Sequence, residues 1–214
     1  MTASTEHRLD EGFDGPGLDP RLSWRNPPVR AALAASRLTV ATAAGTDFWQ
    51  RTHYGFRADN GHLLSCAWAG DFVLTTVVRP RPVHQYDQAG LMVRLSPGCW
   101  LKTSVEFEPD GPSRLGAVVT NDGWSDWSTQ DAPKGLDAIA LRVRREGADY
   151  LVEWAAAADA VAPPAWSQLR VAHLAEDDGA RAVRCGLYAC SPKEAGFVAE
   201  FESLSVRGGR LGPP

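Results

Sequence analysis

From Arg37 to Val206 the chain is a succession of short, β-rich runs broken by turn formers, and this punctuation limits the fold more than any other feature. The runs are Arg37–Thr42, Asp47–Arg51, His62–Trp68, Phe72–Arg79, Gln88–Leu95 and Trp100–Phe107. Arg114–Asn121, Ala138–Arg145, Tyr150–Trp154, Leu169–His173, Ala182–Tyr188 and Phe197–Val206 follow. Between them stand Asp59-Asn60-Gly61, Ser96-Pro97-Gly98, Asp110-Gly111-Pro112, Asn121-Asp122-Gly123 and Glu146-Gly147, residues that accept the dihedrals of tight turns. Many short strands at regular spacing predict a β-sandwich or barrel. Only Val29–Ser36 has a helical composition, and the Ala-rich stretch Ala155–Ala162 reads as a loop because Pro163-Pro164 follows it. Residues 1–21 are polar and rich in Gly, Asp and Pro, which predicts a flexible arm. The domain boundaries are then an arm over 1–21, a single sandwich over 22–206 and a tail over 207–214.

Two neighbouring runs show alternation most clearly. Leu91, Val93 and Leu95 are apolar, and Tyr86, Gln88, Met92 and Arg94 occupy the other parity. Leu101, Val105 and Phe107 are apolar, and Trp100, Lys102, Ser104 and Glu106 face the other way. One face is predicted to be core and the other wet. A plain two-residue Pro97-Gly98 loop would pair Leu95 with Trp100 and mix the faces, so the connection must contribute an odd number of residues. Tyr86, Gln88, Arg94, Trp100, Lys102 and Glu106 then share one surface, which reads either as a ligand platform or as a solvated face with a salt bridge.

The formal charge of −4 and the lack of a basic run argue against nucleic acid as a partner. No apolar stretch approaches the roughly 18–20 residues that span a bilayer, so no membrane association is expected. The N-terminus MTASTEHRLDEGFDGPGLDP has no basic n-region or apolar h-region, which predicts a cytoplasmic protein. Cys66, Cys99, Cys185 and Cys190 form no CxxC pair and are expected to be reduced and mostly buried. His53, His62, Asp47 and Asp87 match no ligand spacing, so neither a metal nor any other cofactor is expected.

Glu106, Glu108 and Asp110 share one parity, but Pro109 interrupts the strand and Asp110-Gly111 turns it. Glu106 is therefore the catalytic candidate if the protein is a glycosidase, and Glu108 and Asp110 are loop acids. The chain has eight tryptophans, of which Trp68 and Trp154 read as core fillers. The run Trp124-Ser125-Asp126-Trp127-Ser128 matches the WSxWS box of type I cytokine receptors, but those are secreted, disulfide-bonded domains of about 100 residues. If extended, this run sends Trp124 and Asp126 one way and Ser125 and Trp127 the other. One tryptophan is expected to anchor in the core, and the one beside Asp126 to border a site.

Several segments together resemble the DUF1349 family. They are Thr46-Asp47-Phe48-Trp49-Gln50-Arg51-Thr52-His53-Tyr54-Gly55-Phe56, Tyr86 through Arg94, Trp100-Leu101-Lys102 with Val105-Glu106, and Val118 through Ser128. The resemblance covers roughly residues 22–206. It implies an antiparallel jelly-roll sandwich of the concanavalin A-like lectin/glucanase type with one concave face. That superfamily holds both sugar-binding proteins and glycosidases, and the residues of the shared face together with Trp49, Trp100, Trp124 and Trp127 predict non-catalytic binding of a carbohydrate or sugar-like metabolite. The alternative the resemblance implies is a protein partner, through regulation of a cytosolic metabolic enzyme. The candidate ligand-binding residues are Trp49, His53, Tyr86, Gln88, Arg94, Trp100, Lys102, Glu106, Trp124, Asp126 and Trp127.

Overall fold

The computed structural model describes residues 8–157 and 165–209. Two antiparallel sheets stack face to face as a jelly-roll sandwich. In the first, β15 (Ser167–His173), β14 (Asp149–Ala156), β13 (Ile139–Glu146), β8 (Phe72–Arg81), β17 (Val198–Gly208), β4 (Leu38–Ala41) and β3 (Arg30–Leu33) lie in that order. An eighth strand, β1 (Arg8–Glu11), also pairs with β17. The second sheet runs β12 (Trp124–Asp131), β11 (Arg114–Asn121), β10 (Cys99–Glu106), β9 (Gln88–Ser96), β16 (Val183–Cys190), β7 (His62–Trp68) and β2 (Ser23–Arg25). A two-stranded ribbon, β5 (Phe48–Trp49) with β6 (Ala58–Asp59), forms a third, small sheet.

Period-two alternation builds the main core. On β8, Phe72, Leu74, Thr76 and Val78 are buried while the intervening residues are half-buried. Phe72, Leu74 and Val78 share one core cluster with Leu141 of the neighbouring β13 and with Leu91, Val93, Leu101, Cys185 and Leu187 of the facing sheet. Trp68 is buried in this core and Trp154 packs against it, as read from the sequence.

The predicted hairpin between β9 and β10 keeps its faces consistent through a bulge. Ser96 pairs with Cys99 across Pro97-Gly98, and the register then shifts so that Trp100 pairs with Arg94. Leu95 is the extra residue, the odd count that the alternation requires.

The structure corrects four expectations. The arm is ordered into the sandwich from Arg8 onward: β1 extends the sheet, and Leu9 and Phe13 are buried in the core. Its polar letters hide an alternation, because Leu9 and Glu11 point inward and Arg8 and Asp10 outward. Val29–Ser36 is not helical. It holds β3, whose hairpin to β4 turns at Ala35 and Ser36, both in the left-handed region (φ 51° and 54°). Reciprocal bonds between Ala34 and Arg37 close that turn without the Asn-Gly signal that would reveal it. Trp124–Asp131, absent from the runs that the sequence predicts as strands, is the polar edge strand of the second sheet. Of the loop expected over 155–162, Ala155 and Ala156 belong to β14, and residues 158–162 lie outside the described residues.

Candidate functional site

The even-numbered residues of β9 and β10 face away from the inter-sheet core, yet they are not wet. Gln88, Met92, Arg94, Trp100 and Lys102 are all buried, with Lys102 only 3% exposed. The segment from Thr42 to Gly61 folds over this face, and Phe48 and Trp49 of β5 pack onto it. They form a second apolar cluster with Leu63, Met92, Trp100, Val118, Tyr188 and Cys190. The expected solvated face is thus corrected to a covered one. Alternation reports which residues share a face, and a lid contributed from elsewhere in the chain decides whether that face is wet.

A polar chain runs beneath the lid. Lys102 Nζ donates to Asp47 Oδ1 (2.7 Å) and to Gln88 Oε1 (2.9 Å). Tyr188 donates its hydroxyl to the same Gln88 oxygen (3.1 Å), and Gln88 Nε2 donates to Glu106 Oε2 (2.8 Å). Because Lys102 can only donate, the orientation of the Gln88 amide follows from the network. Burial works against the charge on Lys102, but Asp47 above all outweighs it and holds the ammonium above its ordinary range. Glu106 behaves oppositely: burial raises its carboxyl from 4.5 to about 7, with Lys102 opposing and Asp47 and Glu108 reinforcing the shift.

The chain ends at a cavity of about 370 Å³ lined by Asp47, Trp49, Tyr54, Phe56, Tyr86, Glu106, Trp127, Pro192 and Lys193. Trp49 stacks on Tyr54 with ring centroids 5.7 Å apart, and Trp127 meets Trp49 edge-on at 6.3 Å. Trp49 Nε1 is buried without a hydrogen-bond partner among the described residues. Tyr86 takes a left-handed backbone (φ 73°), sparsely allowed for an aromatic residue. Asp87 fixes that corner: its Oδ2 accepts the N–H groups of Val83 (2.9 Å) and His84 (2.8 Å), and its Oδ1 accepts the Ser191 hydroxyl (2.8 Å).

The sequence-predicted site residues therefore divide. Trp49, Tyr86, Glu106 and Trp127 line the cavity, and Gln88 and Lys102 lie beneath it. Trp100 is a buried floor residue whose indole donates to Pro97 O (3.1 Å). His53 is exposed, outside the cavity and edge-on to Tyr54 at 4.8 Å. Arg94 belongs to another part of the same face, bound to Asp59 (2.8 Å). The parity of the WSDWS run holds, but neither expected role does. Trp127, not Trp124 on the Asp126 side of the strand, borders the cavity, and neither is core: Trp124 is 55% exposed and Trp127 39%. Arg51 lies over the Trp124 ring at 4.6 Å, and Asp126 pairs with Arg170 (3.0 Å). Ser125 Oγ accepts the Gln50 N–H (2.9 Å), which ties the lid to the edge strand. Asp47, Tyr54 and Phe56 line the cavity without having been singled out as site residues. Their shared sequence signal is membership of the segment Thr46–Phe56; Asp47 also figures among the acids and histidines that match no metal-ligand spacing.

The protein is thus an antiparallel β-sandwich with a loop-capped, aromatic-lined cavity on the outer face of one sheet. The family model described as "Protein of unknown function (DUF1349)" matches residues 24–208, and the chain belongs to this family. It is 33% identical over 184 residues to a Saccharomyces cerevisiae protein called "Regulation of enolase protein 1", covering 86% of this chain and 88% of that one. A crystal structure of a functionally unknown S. cerevisiae protein superposes with a TM-score of 0.79 at 32% identity, over 90% of this chain and 98% of that one. The GH43 protein BlXynB of Bacillus licheniformis (TM-score 0.67, 16% identity) and a Bacteroides ovatus GH43B (0.71, 19%) share the fold. This chain covers 92% of its own length in each match but only 39% and 38% of those longer proteins.

Proposed function

We propose that the cavity binds a carbohydrate or sugar-like metabolite without transforming it, and that the protein acts in the cytoplasm. The observation that carries this reading is the right-angled pair Trp49 and Trp127 beside Glu106. Aromatic faces suit the apolar C–H faces of a sugar, and a carboxyl with a buried indole N–H suits its hydroxyls. Asp47 Oδ2 and Glu106 Oε1 accept no hydrogen bond among the described residues, so both remain for a ligand. Isothermal titration against mono- and oligosaccharides tests this. A binder that Trp127→Ala abolishes without unfolding the chain is expected. An empty panel, or a sugar bound equally well by Trp127→Ala, sinks the proposal.

A second reading rests on the name of the yeast relative. In it, this chain regulates a metabolic enzyme through protein contact, with the exposed Tyr54 and Phe56 at the cavity rim as the contact point. Affinity capture with the wild type and a Tyr54→Ser/Phe56→Ser double variant separates the two. The same metabolic enzyme recovered by both proteins, or by neither, counts against it.

A further inference from the structure

The other end of the covered face carries a separate cavity of about 340 Å³, lined by Ser23, Arg25, Ser65, Arg94 and Arg184 with Trp24 and Leu95 beside them. Arg94 and Arg184 are direct partners across β9 and β16, and Ser23 and Ser65 are direct partners across β2 and β7. Like charges placed opposite one another weaken a sheet unless something neutralises them. Here one carboxylate serves two guanidiniums. Asp59 accepts a hydrogen bond from one branch of Arg94 (2.9 Å), lies 2.8 Å from the other branch without hydrogen-bond geometry, and pairs with the tip of Arg25 (3.1 Å). Arg184 forms no ion pair among the described residues. Its Nε donates to Ser65 Oγ (3.1 Å) and its tip to Ser23 Oγ (2.7 Å). No acidic residue lines the cavity; Glu176 accepts the Ser96 hydroxyl (2.7 Å) and stays outside the lining.

We infer that this cavity is an anion site for the phosphate group of a small phosphorylated metabolite. Three guanidiniums against one carboxylate leave two positive charges uncompensated, which matches a phosphomonoester dianion near neutral pH. Guanidinium forks suit tetrahedral oxyanions, and the Ser23 and Ser65 hydroxyls lie within the same lining. The cavity is larger than one phosphate, and Trp24 and Leu95 give the remainder an apolar wall for a short organic group. Burial, and secondarily the charge of Arg25, weaken the hold of Arg94 on its proton, while Asp59 opposes them. A bound anion offsets the cost of burying the Arg94 charge and its repulsion with Arg25. This site shares no lining residue with the sugar cavity, so it stands or falls separately.

The test is calorimetric titration of the full chain in phosphate-free buffer with inorganic phosphate and with glycerol 3-phosphate, against sodium chloride of matched ionic strength. Saturable binding of glycerol 3-phosphate is expected, tighter than that of inorganic phosphate. Arg184→Gln and Arg25→Gln should each weaken it about tenfold or more, the worth of a charge-assisted hydrogen bond. Arg30→Gln, an exposed cation on the opposite sheet, should leave it unchanged. Arg25 lies on the last strand of the sheet, so its variant keeps the test decisive if Arg184→Gln does not fold. Equal affinity for both probes overturns the phosphomonoester assignment in favour of free phosphate. No binding at millimolar concentrations, or binding that both arginine variants retain, overturns the site.

Discussion

Lys102 and Asp47, distant in sequence and 2.7 Å apart in space, join the floor of the covered face to its lid. Both are buried, so neither charge can be left alone without cost. A buried ion pair is not by itself a large source of stability, but a broken one is costly.

Removing one partner should therefore destabilise far more than removing both. Asp47→Asn and Lys102→Met are each expected to cost about 3–5 kcal/mol, and the double variant clearly less than their sum. Urea unfolding of the four proteins checks this. Simple additivity would show that the pair is not coupled.

Glu106 sets a pH dependence. Its carboxyl is raised from 4.5 in the unfolded chain to about 7, so the folded state holds the proton more tightly. The stability it lends is complete below pH 4.5 and is lost as the pH rises through 7. Glu106→Gln, whose amide oxygen can still accept from Gln88, should flatten this loss. It should stabilise the protein by on the order of 1–3 kcal/mol at pH 8 while changing little at pH 4. Unfolding free energies across that range, wild type against variant, provide the measurement.

The lid seats Phe48 only because position 61 is glycine. A Cβ there would lie 2.5 Å from the Phe48 ring and 2.6 Å from Cys190 Sγ, both in packed surroundings. Gly61→Ala is expected to cost about 1–3 kcal/mol through overpacking. Gly55→Ala, with nothing within 4 Å of the added carbon, should be nearly neutral. Thermal melts of the two variants would refute the account if they shifted alike.

The two tryptophans of WSDWS should separate in function. Trp124→Ala removes an exposed ring beneath Arg51 and should cost no more than about 1 kcal/mol, with sugar binding intact. Trp127→Ala should leave stability similar and remove binding. Parallel denaturation and titration of both variants compares them, and a loss of binding in Trp124→Ala would move the site to the other side of the edge strand.

The parity of the even residues from Gln88 to Glu106 was legible because period-two alternation is a local property. So were the odd-residue correction in the β9–β10 connection and the opposite facing of Trp124 and Trp127. The strands missed were those whose signal is weak. β12 is a polar edge, β1 has four residues, and the β3–β4 turn uses Ala35-Ser36 in place of glycine or asparagine. The family resemblance on Thr46–Phe56 flagged the lid segment but not what it does.

What the sequence by itself determined is an antiparallel sandwich with its two residue parities assigned to opposite faces. What only the tertiary structure decided is the environment of the second face. The Thr42–Gly61 segment lies over Lys102, Gln88 and Trp100 and turns a nominally wet surface into a buried network, with a cavity at each end. The physical reason is that alternation constrains direction, whereas burial depends on which distant segment arrives to exclude water. The pairing of Asp47 with Lys102 and the raised carboxyl of Glu106 both follow from that arrival.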